Sequence, residues 1–338
     1  MANPSHEAHC GEINILPQRA RLEDSPLDSP GNPGSDRVLR CWLRLLTWNF
    51  VLAFHAEVLS ARDWFVNNRG GDDTFSGQIE QTGTLDGPVR TITRALRMAG
   101  AGDRIVLANS GEPYRESVSL VGGPHSGLPG HPFVIEGNGA TLEGRAIIPP
   151  EAWESYHGAV FRFSPRRLAY QQLYLNNKPA LRHPTPRGGA LPKLAPLEWF
   201  LDGGYLYFRI EDERMIDDYA LSCAGEKTGV TAYKVHDVVI QNLTIQGFQI
   251  DGIQVHDSVE CLVGGVVSRG NGRTGIAVVG ASRATLDRCV LGDNAEAQLL
   301  VAYPARATVL ECDLLPKAAP PIINRGGQVE VDGKPFTE

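Results

Sequence analysis

Residues 236–258 read HDVVIQNLTIQGFQIDGIQVHDS, and residues 259–281 read VECLVGGVVSRGNGRTGIAVVGA. When the two stretches are aligned, apolar residues fall in the same columns, and the chain continues the pattern to residue 314 at the same spacing of 23 residues. Within each stretch apolar residues alternate with variable ones, which is the period of a strand with one buried face. A fixed period of this size indicates stacked units that bury their apolar faces only against one another. The sequence therefore predicts a solenoid of parallel strands.

The interior of this solenoid is predicted from the columns that stay apolar. Like residues in one column are expected to stack about 4.8 Å apart. The turn columns agree, because Gly247 and Gly270 share one column and Asn271 and Asn294 the next, and these residue types tolerate left-handed backbone. The residues expected to be buried are Val238, Ile240, Leu243, Val263, Val266, Leu286, Cys289, Val309 and Cys312.

Composition narrows the class of protein. The chain has 338 residues and a formal net charge of −7, so its bulk electrostatics argue against nucleic-acid binding. Glycine contributes 37 residues, as a fold with frequent turns requires. The cysteine spacings match no zinc pattern. Cys289 and Cys312 share an interior column, and a stacked pair of apolar thiols is favoured over a disulfide between them.

The first 60 residues divide into two segments. Residues 1–37 are polar and rich in Pro, Ser, Gly and Asp, which predicts a disordered leader. Residues 38–60 combine a basic start, an apolar stretch too short to span a bilayer and small residues near the end, the pattern of a secretory signal. We therefore expect translation to begin at Val38, and a protein that is secreted, periplasmic or held at the cell envelope without a transmembrane segment. The alternative for residues 38–60 is a buried amphipathic helix.

Residues 61–145 are predicted to open the folded part. A short amphipathic helix is indicated by Ile92, Ala95, Leu96 and Ala99, which are spaced as one apolar stripe. After this helix the sequence alternates short apolar strands with turns rich in Gly, Asn and Pro as far as residue 145. We therefore expect the helix to be followed by the first coils of the solenoid.

The same region resembles a known group of proteins. The motifs Gly87-Pro-Val-Arg-Thr-Ile-Thr-Arg-Ala-Leu, Ala101-Gly-Asp-Arg-Ile-Val and Glu112-Pro-Tyr-Arg-Glu-Ser-Val are similar to the opening of the right-handed parallel β-helix proteins of the pectin lyase-like group, of secreted bacterial type. The resemblance covers roughly residues 64–145 and 233–320. It implies an all-β, right-handed parallel β-helix in which the short helix caps the open end. It implies no single activity, because this fold hosts many functions.

Residues 146–232 break the repeat and are predicted to form a small antiparallel β insertion packed on the flank of the solenoid. Regular coils then occupy residues 233–320, and residues 321–338 form a tail. The insertion is similar to those of secreted β-helix carbohydrate-active enzymes, where they wall one side of a groove. Its aromatic residues are interpreted either as its own core or as a sugar-stacking surface, with Trp199, Tyr205 and Tyr207 as candidates for substrate binding.

One candidate catalytic cluster surrounds the strand that begins at Asp251. His256 ends the same segment, and Arg269 and Arg273 lie on the next repeat. We expect these four side chains to share one solvent-facing region overhung by the insertion. Lys234 and His236 are expected close by as substrate-binding residues.

The chemistry that this cluster predicts is proton abstraction from a uronic acid, as in a lyase or an epimerase. Such a reaction needs a base, His256 or Lys234, and a cation such as Arg269 or Arg273 to stabilise the developing charge. Asp251-Gly252 stands where pectin-degrading hydrolases of this fold carry a catalytic Asp-Gly, but the next repeat has no second carboxylate. Because inverting hydrolysis requires two carboxylates, a polygalacturonase is disfavoured.

A second candidate site lies in the column that contains Asp237 and Glu260. Two carboxylates one repeat apart would raise a pKa or hold a cation such as Ca²⁺, which is the only cofactor that the sequence suggests. The alternative is an exposed ladder of charges, because Arg283 follows in the same column.

Two functions remain open from the sequence. The first is a secreted enzyme, a lyase, epimerase or glycoside hydrolase, that acts on a polysaccharide. The second is a non-catalytic β-helix that binds glycans or serves as a cell-envelope or adhesion module. In both cases the expected partner is a polysaccharide or other glycan, not nucleic acid, and the expected state is a monomer.

Overall fold

The computed structural model describes residues 61–166, 170–184, 191–316 and 319–337. The leader and the signal predicted for residues 1–60 lie outside these residues. Within them, none of the helices has the length and apolar character needed to cross a membrane.

Three parallel sheets form the solenoid, and from Phe133 to Arg325 each coil contributes one strand to each sheet in turn. Sheet A contains Asp63–Val66, Arg104–Leu107, Phe133–Glu136, His236–Gln241, Val259–Gly264, Arg283–Asp287, Arg306–Leu310 and Gln328–Val331, followed by the antiparallel Lys334–Pro335. Sheet B contains Thr141–Glu143, Thr244–Gln246, Val267–Arg269, Val290–Gly292 and Asp313–Leu314. Sheet C contains Val118–Val121, Val230–Tyr233, Asp251–His256, Thr274–Val279, Ala297–Ala302 and Ile322–Arg325.

The register of these sheets confirms the columns of the repeat. In sheet A, Ile240 pairs with Val263, which pairs with Leu286. Every residue that the repeat predicts to be buried is buried, with the exception of Cys312, which is half-buried near the last coils. The interior is therefore a stack of aliphatic ladders, and their burial is the main favourable term in the stability of the solenoid.

The corner between sheets B and C shows why particular residues recur there. Gly247 and Gly270 have φ angles of 81° and 61°, a left-handed backbone in which glycine carries no steric cost. Asn271 and Asn294 do not use the left-handed backbone predicted for them. They are fully buried, and the Asn271 side-chain amide donates to the Asn294 oxygen at 2.9 Å. Their column therefore forms an asparagine ladder that satisfies buried polar groups of the turn.

The predicted helix occupies Ile92–Met98 and covers the first coil. Thr91 caps it, because its Oγ accepts a hydrogen bond from the Arg94 backbone N–H at 3.1 Å. Ile92, Ala95 and Leu96 are buried in the same core as Trp64 of the first strand. The helix thus removes from water the apolar ladder that the first coil would otherwise expose.

The insertion leaves the solenoid after Thr141–Glu143. A four-stranded sheet contains Arg145–Ile147, Leu173–Leu175, Lys178–Pro179 and Leu221–Ala224, and a five-stranded sheet contains Glu154–His157, Val160–Phe163, Leu181–Arg182, Glu198–Asp202 and Tyr205–Arg209. Two short 3-10 helices, Pro150–Ala152 and Ile216–Asp218, lie in the same region. Two predicted boundaries differ from the structure. Val230–Tyr233, predicted to end the insertion, already belongs to sheet C. The predicted C-terminal tail contains two further strands, Ile322–Arg325 and Gln328–Val331, which pair with the preceding coil.

Candidate functional site

The outer face of sheet B carries a polar column with one member in each of three successive coils. Glu143 pairs in register with Gln246, and Gln246 with Arg269. The Gln246 amide donates to a Glu143 carboxylate oxygen at 2.8 Å, and the Arg269 Nε donates to the Gln246 oxygen at 2.9 Å. Because each side chain orients the next, the column presents a fixed arrangement along the solenoid axis.

The insertion forms the opposite side of this column. Arg145 donates from Nε to Glu143 at 2.7 Å, and its guanidinium lies 5.2 Å from the centre of the Tyr174 ring. The Tyr174 hydroxyl donates to the Gly270 carbonyl, so the insertion is tied to the coil that bears Arg269. Hydrogen bonding to Glu143 raises the pKa of Arg145, and burial raises the pKa of Tyr174 well above its usual value. Both groups therefore keep their protons at neutral pH.

A groove of about 550 Å³ lies between the column and the insertion, and we call it the sheet B groove. It is lined by Arg145, Tyr174, Asn176, Asn177, Lys178, Pro179, Gln246, Arg269, Gly270 and Asp293. A smaller hollow of about 210 Å³, lined in part by Glu112 and Arg115, shares Arg145 and Gln246 with it. The lining is polar and carries several cations, which suits a ligand with many hydroxyl groups and negative charge.

Of the four predicted catalytic residues, only Arg269 lines this groove. Asp251 and Arg273 are joined to each other, as their positions predict, with the Arg273 Nε 2.9 Å from a carboxylate oxygen of Asp251. However, Asp251 has no exposed surface, and it accepts a further hydrogen bond from Thr274 at 2.7 Å. The expectation of a solvent-facing Asp251 is therefore wrong, because the buried carboxylate is held by Arg273 and Thr274. The Arg273 guanidinium in turn lies 5.5 Å from the centre of the ring of the insertion residue Tyr170.

His256 lies at the other end of the strand that begins with Asp251. Five steps along a strand separate the two residues by roughly 16 Å. His256 is instead 3.6 Å from Asp257, and its ring contacts that of Tyr233 at 5.3 Å. Lys234 and His236 occupy this same corner between sheets C and A. The expectation of one shared region is thus wrong for His256, Lys234 and His236, because the strand Asp251–His256 is longer than a sugar ring is wide and separates its two ends.

The two carboxylates of the predicted cation site, Asp237 and Glu260, pair with different residues. Asp237 is 2.9 Å from the His236 ring, and Glu260 pairs with Arg283 at 3.2 Å. In the part of the chain that the structure describes, no three His, Cys, Asp or Glu side chains are grouped so as to hold a metal ion. The geometry agrees with the charge-ladder interpretation that the sequence left open.

The three aromatic residues predicted to bind substrate lie in the insertion with different exposures. Trp199 is fully buried among Leu173, Leu206 and other apolar residues, so it belongs to the insertion's core. Tyr207 is 9% exposed and Tyr205 is half-buried. None of the three lines the sheet B groove.

Several residues of the groove were not predicted. One of them is Gln246, which lies one repeat before the predicted Arg269, so the 23-residue spacing indicates that their side chains stack. Glu143 belongs to the same column, but the insertion separates it in sequence from Gln246 and hides the repeat. Arg145, Tyr174 and Lys178 come from the insertion, where no periodicity indicates which side chains face the solenoid.

Comparisons with known proteins agree on the fold. Residues 225–324 match a family model described as the right handed beta helix region. A search of curated proteins finds no significant match. A solved structure named "Glycoside hydrolase" aligns with a TM-score of 0.52 at 13% identity, covering 75% of this chain and 73% of that chain.

Two further solved structures align more loosely. One is named "The complex structure of XylC with xylose", with a TM-score of 0.39, 13% identity and coverage of 80% and 69% of the two chains. The other is a GH136 lacto-N-biosidase from Eubacterium ramulus, with a TM-score of 0.21, 9% identity and coverage of 87% and 70%. The three-sheet topology, the family match and the "Glycoside hydrolase" structure together show that the chain forms a right-handed parallel β-helix with an antiparallel insertion.

Proposed function

We propose that the protein recognises an acidic polysaccharide, a glycan whose sugar rings carry carboxylates, in the sheet B groove. The observation that carries this proposal is the placement of Lys178 and Arg269. They come from the insertion and from a coil respectively, and both line the groove. Among the described residues, neither has a carboxylate within ion-pair distance. Two cations that line one groove and form no ion pair with another described residue are suited to bind an anion from outside.

The uncharged part of the lining fits the rest of such a ligand. Gln246, Asn176 and Asn177 offer amide donors and acceptors, which can pair with sugar hydroxyls. The coils repeat about every 4.8 Å along the axis, so Gln246 and Arg269 on successive coils can contact successive parts of a sugar chain. The enclosed Glu143 serves this site by holding Arg145 and Gln246 in place.

The overall charge of the molecule limits recognition of an acidic polysaccharide to the groove. With a formal net charge of −7, the molecule as a whole repels a polyanion. Binding therefore depends on the cations of the groove, and it is expected to weaken as added salt screens them. The solved structure named "Glycoside hydrolase" shares only the fold with this chain, and it is compatible with a carbohydrate ligand without specifying one.

A second candidate function is chemistry on the same polysaccharide, as a lyase, epimerase or glycoside hydrolase. The observation that favours it is the presence of Glu112 and Asp293 in the lining of the connected hollows, beside the cations. A carboxylate base and a guanidinium are what proton abstraction beside a uronate requires. His256, Lys234 and Asp251 are not part of this proposal, because they lie outside the groove or have no exposed surface.

The test is binding of oligogalacturonate and oligo-alginate, measured by isothermal titration calorimetry at low and high salt. Arg269→Ala and Lys178→Ala should each weaken binding about tenfold, the loss of one charge-assisted hydrogen bond. Arg306→Ala is the matched control, since Arg306 is an exposed arginine on sheet A. Full affinity in both groove variants, or no binding of any acidic oligosaccharide by the wild type, would overturn the proposal.

The same titrated samples decide between binding and catalysis. A lyase would produce unsaturated uronate absorbance, a hydrolase new reducing ends, and an epimerase an altered ratio of uronate epimers in the NMR spectrum. Asp293→Asn and Glu112→Gln should then lower the rate while keeping the affinity. If the polysaccharide is unchanged after long incubation, the catalytic function is excluded and only the binding function remains.

We also infer that the protein meets its polysaccharide outside the cytoplasm, in the periplasm, at the cell envelope or in the medium. The support for this inference is the signal-like pattern of residues 38–60. Cell fractionation followed by N-terminal sequencing tests it, and recovery of the uncleaved chain from the cytoplasm alone would contradict it.

A further inference from the structure

A second polar and aromatic surface lies on the five-stranded sheet of the insertion, away from the lining of the sheet B groove. Its members are Tyr156, Arg162 and Tyr205, supported by Tyr207 and Glu154, and we call it the tyrosine platform. The opposite face of this sheet, with Leu206, Phe208 and Phe163, is packed into the insertion's core. Part of the platform face is covered as well, because Leu194 packs on Phe200 and Tyr207. The strand ends that carry Tyr156 and Tyr205 remain accessible.

The strand register places these side chains on one face. Tyr207 pairs with Arg162, and Arg162 pairs with Glu154 on the next strand. Directly opposed residues of antiparallel strands project to the same side of a sheet. Tyr205 lies two residues before Tyr207 and therefore shares its side. The platform thus crosses three neighbouring strands.

Arg162 holds the rings of the platform together. Its guanidinium lies 4.6 Å from the centre of the Tyr205 ring and 5.6 Å from that of Tyr156. Glu154 fixes the guanidinium through a hydrogen bond of 2.9 Å, and the Tyr156 ring meets the Tyr207 ring edge to face at 5.1 Å. An exposed ring loses little entropy on binding when it is already held in place. The platform is therefore preorganised, although Tyr156 is 47% exposed.

The charge of the platform selects the kind of ligand. Glu154 compensates Arg162, and Asp202, which pairs directly with Tyr205, adds a further negative charge. The surface is thus neutral to acidic, which disfavours uronates and other anions. Aromatic faces beside carboxylates and a guanidinium offer an apolar surface for a ring and acceptors and donors for hydroxyl groups. An uncharged sugar presents both features.

We propose that the tyrosine platform is a second carbohydrate-binding site, which takes uncharged sugar rings and is separate from the sheet B groove. Tyr156 and Tyr205 contact the faces of the rings, and Arg162, Glu154 and Asp202 pair with their hydroxyls. The site does not depend on the proposed function of the groove. Together the two sites would hold a heteropolysaccharide through its neutral and its acidic parts, and their effects would multiply through effective concentration.

The proposal is tested with cellohexaose, xylohexaose and mannohexaose on the full chain, by calorimetry and by the perturbation of tyrosine absorbance. Binding of at least one of them is expected, and Tyr156→Ala should weaken it about fivefold or more. Tyr156 is the informative position, because an exposed side chain can be truncated with little effect on folding. Tyr205→Ala is expected to weaken binding as well, and its circular dichroism spectrum checks that the insertion stays folded. Tyr303→Ala is the control, since Tyr303 is 77% exposed on the solenoid.

Arg269→Ala separates this site from the groove. The variant should bind the neutral oligosaccharide as the wild type does, even if acidic oligosaccharides never bind and the proposed function fails. Loss of neutral binding in Arg269→Ala would move the neutral site into the groove and overturn the proposal. So would undiminished binding in Tyr156→Ala, or the failure of all three oligosaccharides to bind the wild type at millimolar concentration.

Discussion

At the scale of single residues, Arg273 shows how a candidate catalytic side chain differs from a structural one. The sequence predicts a solvent-facing Arg273, and truncation of such a residue would leave the melting temperature nearly unchanged. In the structure the variant would leave the carboxylate of Asp251 buried without its counter-ion. Removal of one partner of a buried ion pair costs about 3–5 kcal/mol. We therefore expect a clear loss of stability in chemical denaturation of Arg273→Ala.

His256→Ala is the matched comparison for that measurement. His256 is exposed for 43% of its side chain and contacts mainly Asp257 and Tyr233. Its truncation should change the free energy of unfolding by less than about 0.5 kcal/mol. If Arg273→Ala unfolds at the same denaturant concentration as His256→Ala, the buried ion pair is not a stabilising part of the corner.

The neighbouring residues Val266 and Val267 test the register of the interior ladders. Val266 is fully buried, whereas Val267 points outward on sheet B and is half-buried. Val266→Asp places a charge in the apolar ladder and should cost several kcal/mol or prevent folding. Val267→Asp should cost far less, as measured by thermal melting. Equal melting temperatures would show that the register is shifted by one residue.

Cys312 is expected to be the most reactive thiol of the described residues. Its hydrogen bond with Cys289 lowers the pKa of Cys312 to about 7, while that bond and burial raise the pKa of Cys289. A lowered pKa means that the thiolate is already present near neutral pH, and the thiolate is the form that is alkylated. The rate of iodoacetamide labelling at Cys312 should therefore rise as the pH passes through about 7. Burial raises the pKa of Cys261 to about 12, so that thiol should label slowly.

The Cys289→Ala variant provides the control for this reactivity. Without the Cys289 thiol, the pKa of Cys312 should move back toward the usual value near 8.5. Peptide mapping by mass spectrometry assigns the label to each cysteine. Labelling of Cys312 with the same pH profile in both proteins would exclude the thiol pair as the cause.

At the scale of elements, the repeat predicts strands and burial well, and it predicts side-chain placement only where the repeat continues. Column positions such as Ile240 and Val263 follow from spacing alone, because parallel strands stack residues in register. The same reasoning could not place Glu143 beside Gln246, since the insertion interrupts the count between them. It also could not tell that Asp251 is buried, because its partner Arg273 packs against the insertion residue Tyr170, whose position no repeat indicates. The fold was thus predictable from local pattern, while the site depends on which loop packs on which coil.

The asparagine ladder supports a prediction for the corner between sheets B and C. Asn271 accepts from the Phe248 backbone N–H at 3.1 Å and donates to Asn294 at 2.9 Å. Asn271→Ala would leave the buried Phe248 N–H without this acceptor, at a cost of about 1–3 kcal/mol. Denaturant unfolding measures the loss, and Gln328→Ala is a control at an exposed strand position. A loss no greater than that of the control would mean that the ladder does not stabilise the corner.

At the scale of the whole molecule, we expect the local stability to differ from coil to coil along the axis, so that the coils do not all unfold together. Each coil contacts mainly its two neighbours, so a destabilising substitution is expected to lower the stability of adjacent coils most. Leu96→Asp would disturb the capping helix, where Leu96 is buried in the core. Hydrogen exchange should then increase most in Asp63–Val66 and Arg104–Leu107 and least in Arg306–Leu310. Arg97→Ala, at an exposed position of the same helix, should change little.

Two other results of the hydrogen-exchange experiment would contradict this prediction. A uniform increase of exchange over all three sheets would show that the coils unfold as one cooperative unit, as in a compact globular domain. A loss confined to the helix itself would show that the first coil does not need its cap.

The position of the insertion also governs the order in which the chain can assemble. Coils after residue 230 pair residues that are 23 apart in sequence, such as Val255 and Val278, so they can form from short loops as synthesis proceeds. Val118–Val121, in contrast, finds its partner only in Val230–Tyr233, beyond the entire insertion. The N-terminal segment must therefore wait, with an unpaired strand edge, until more than a hundred further residues have been made. During this interval the unpaired strand edge and the uncovered apolar residues make the nascent protein prone to aggregation.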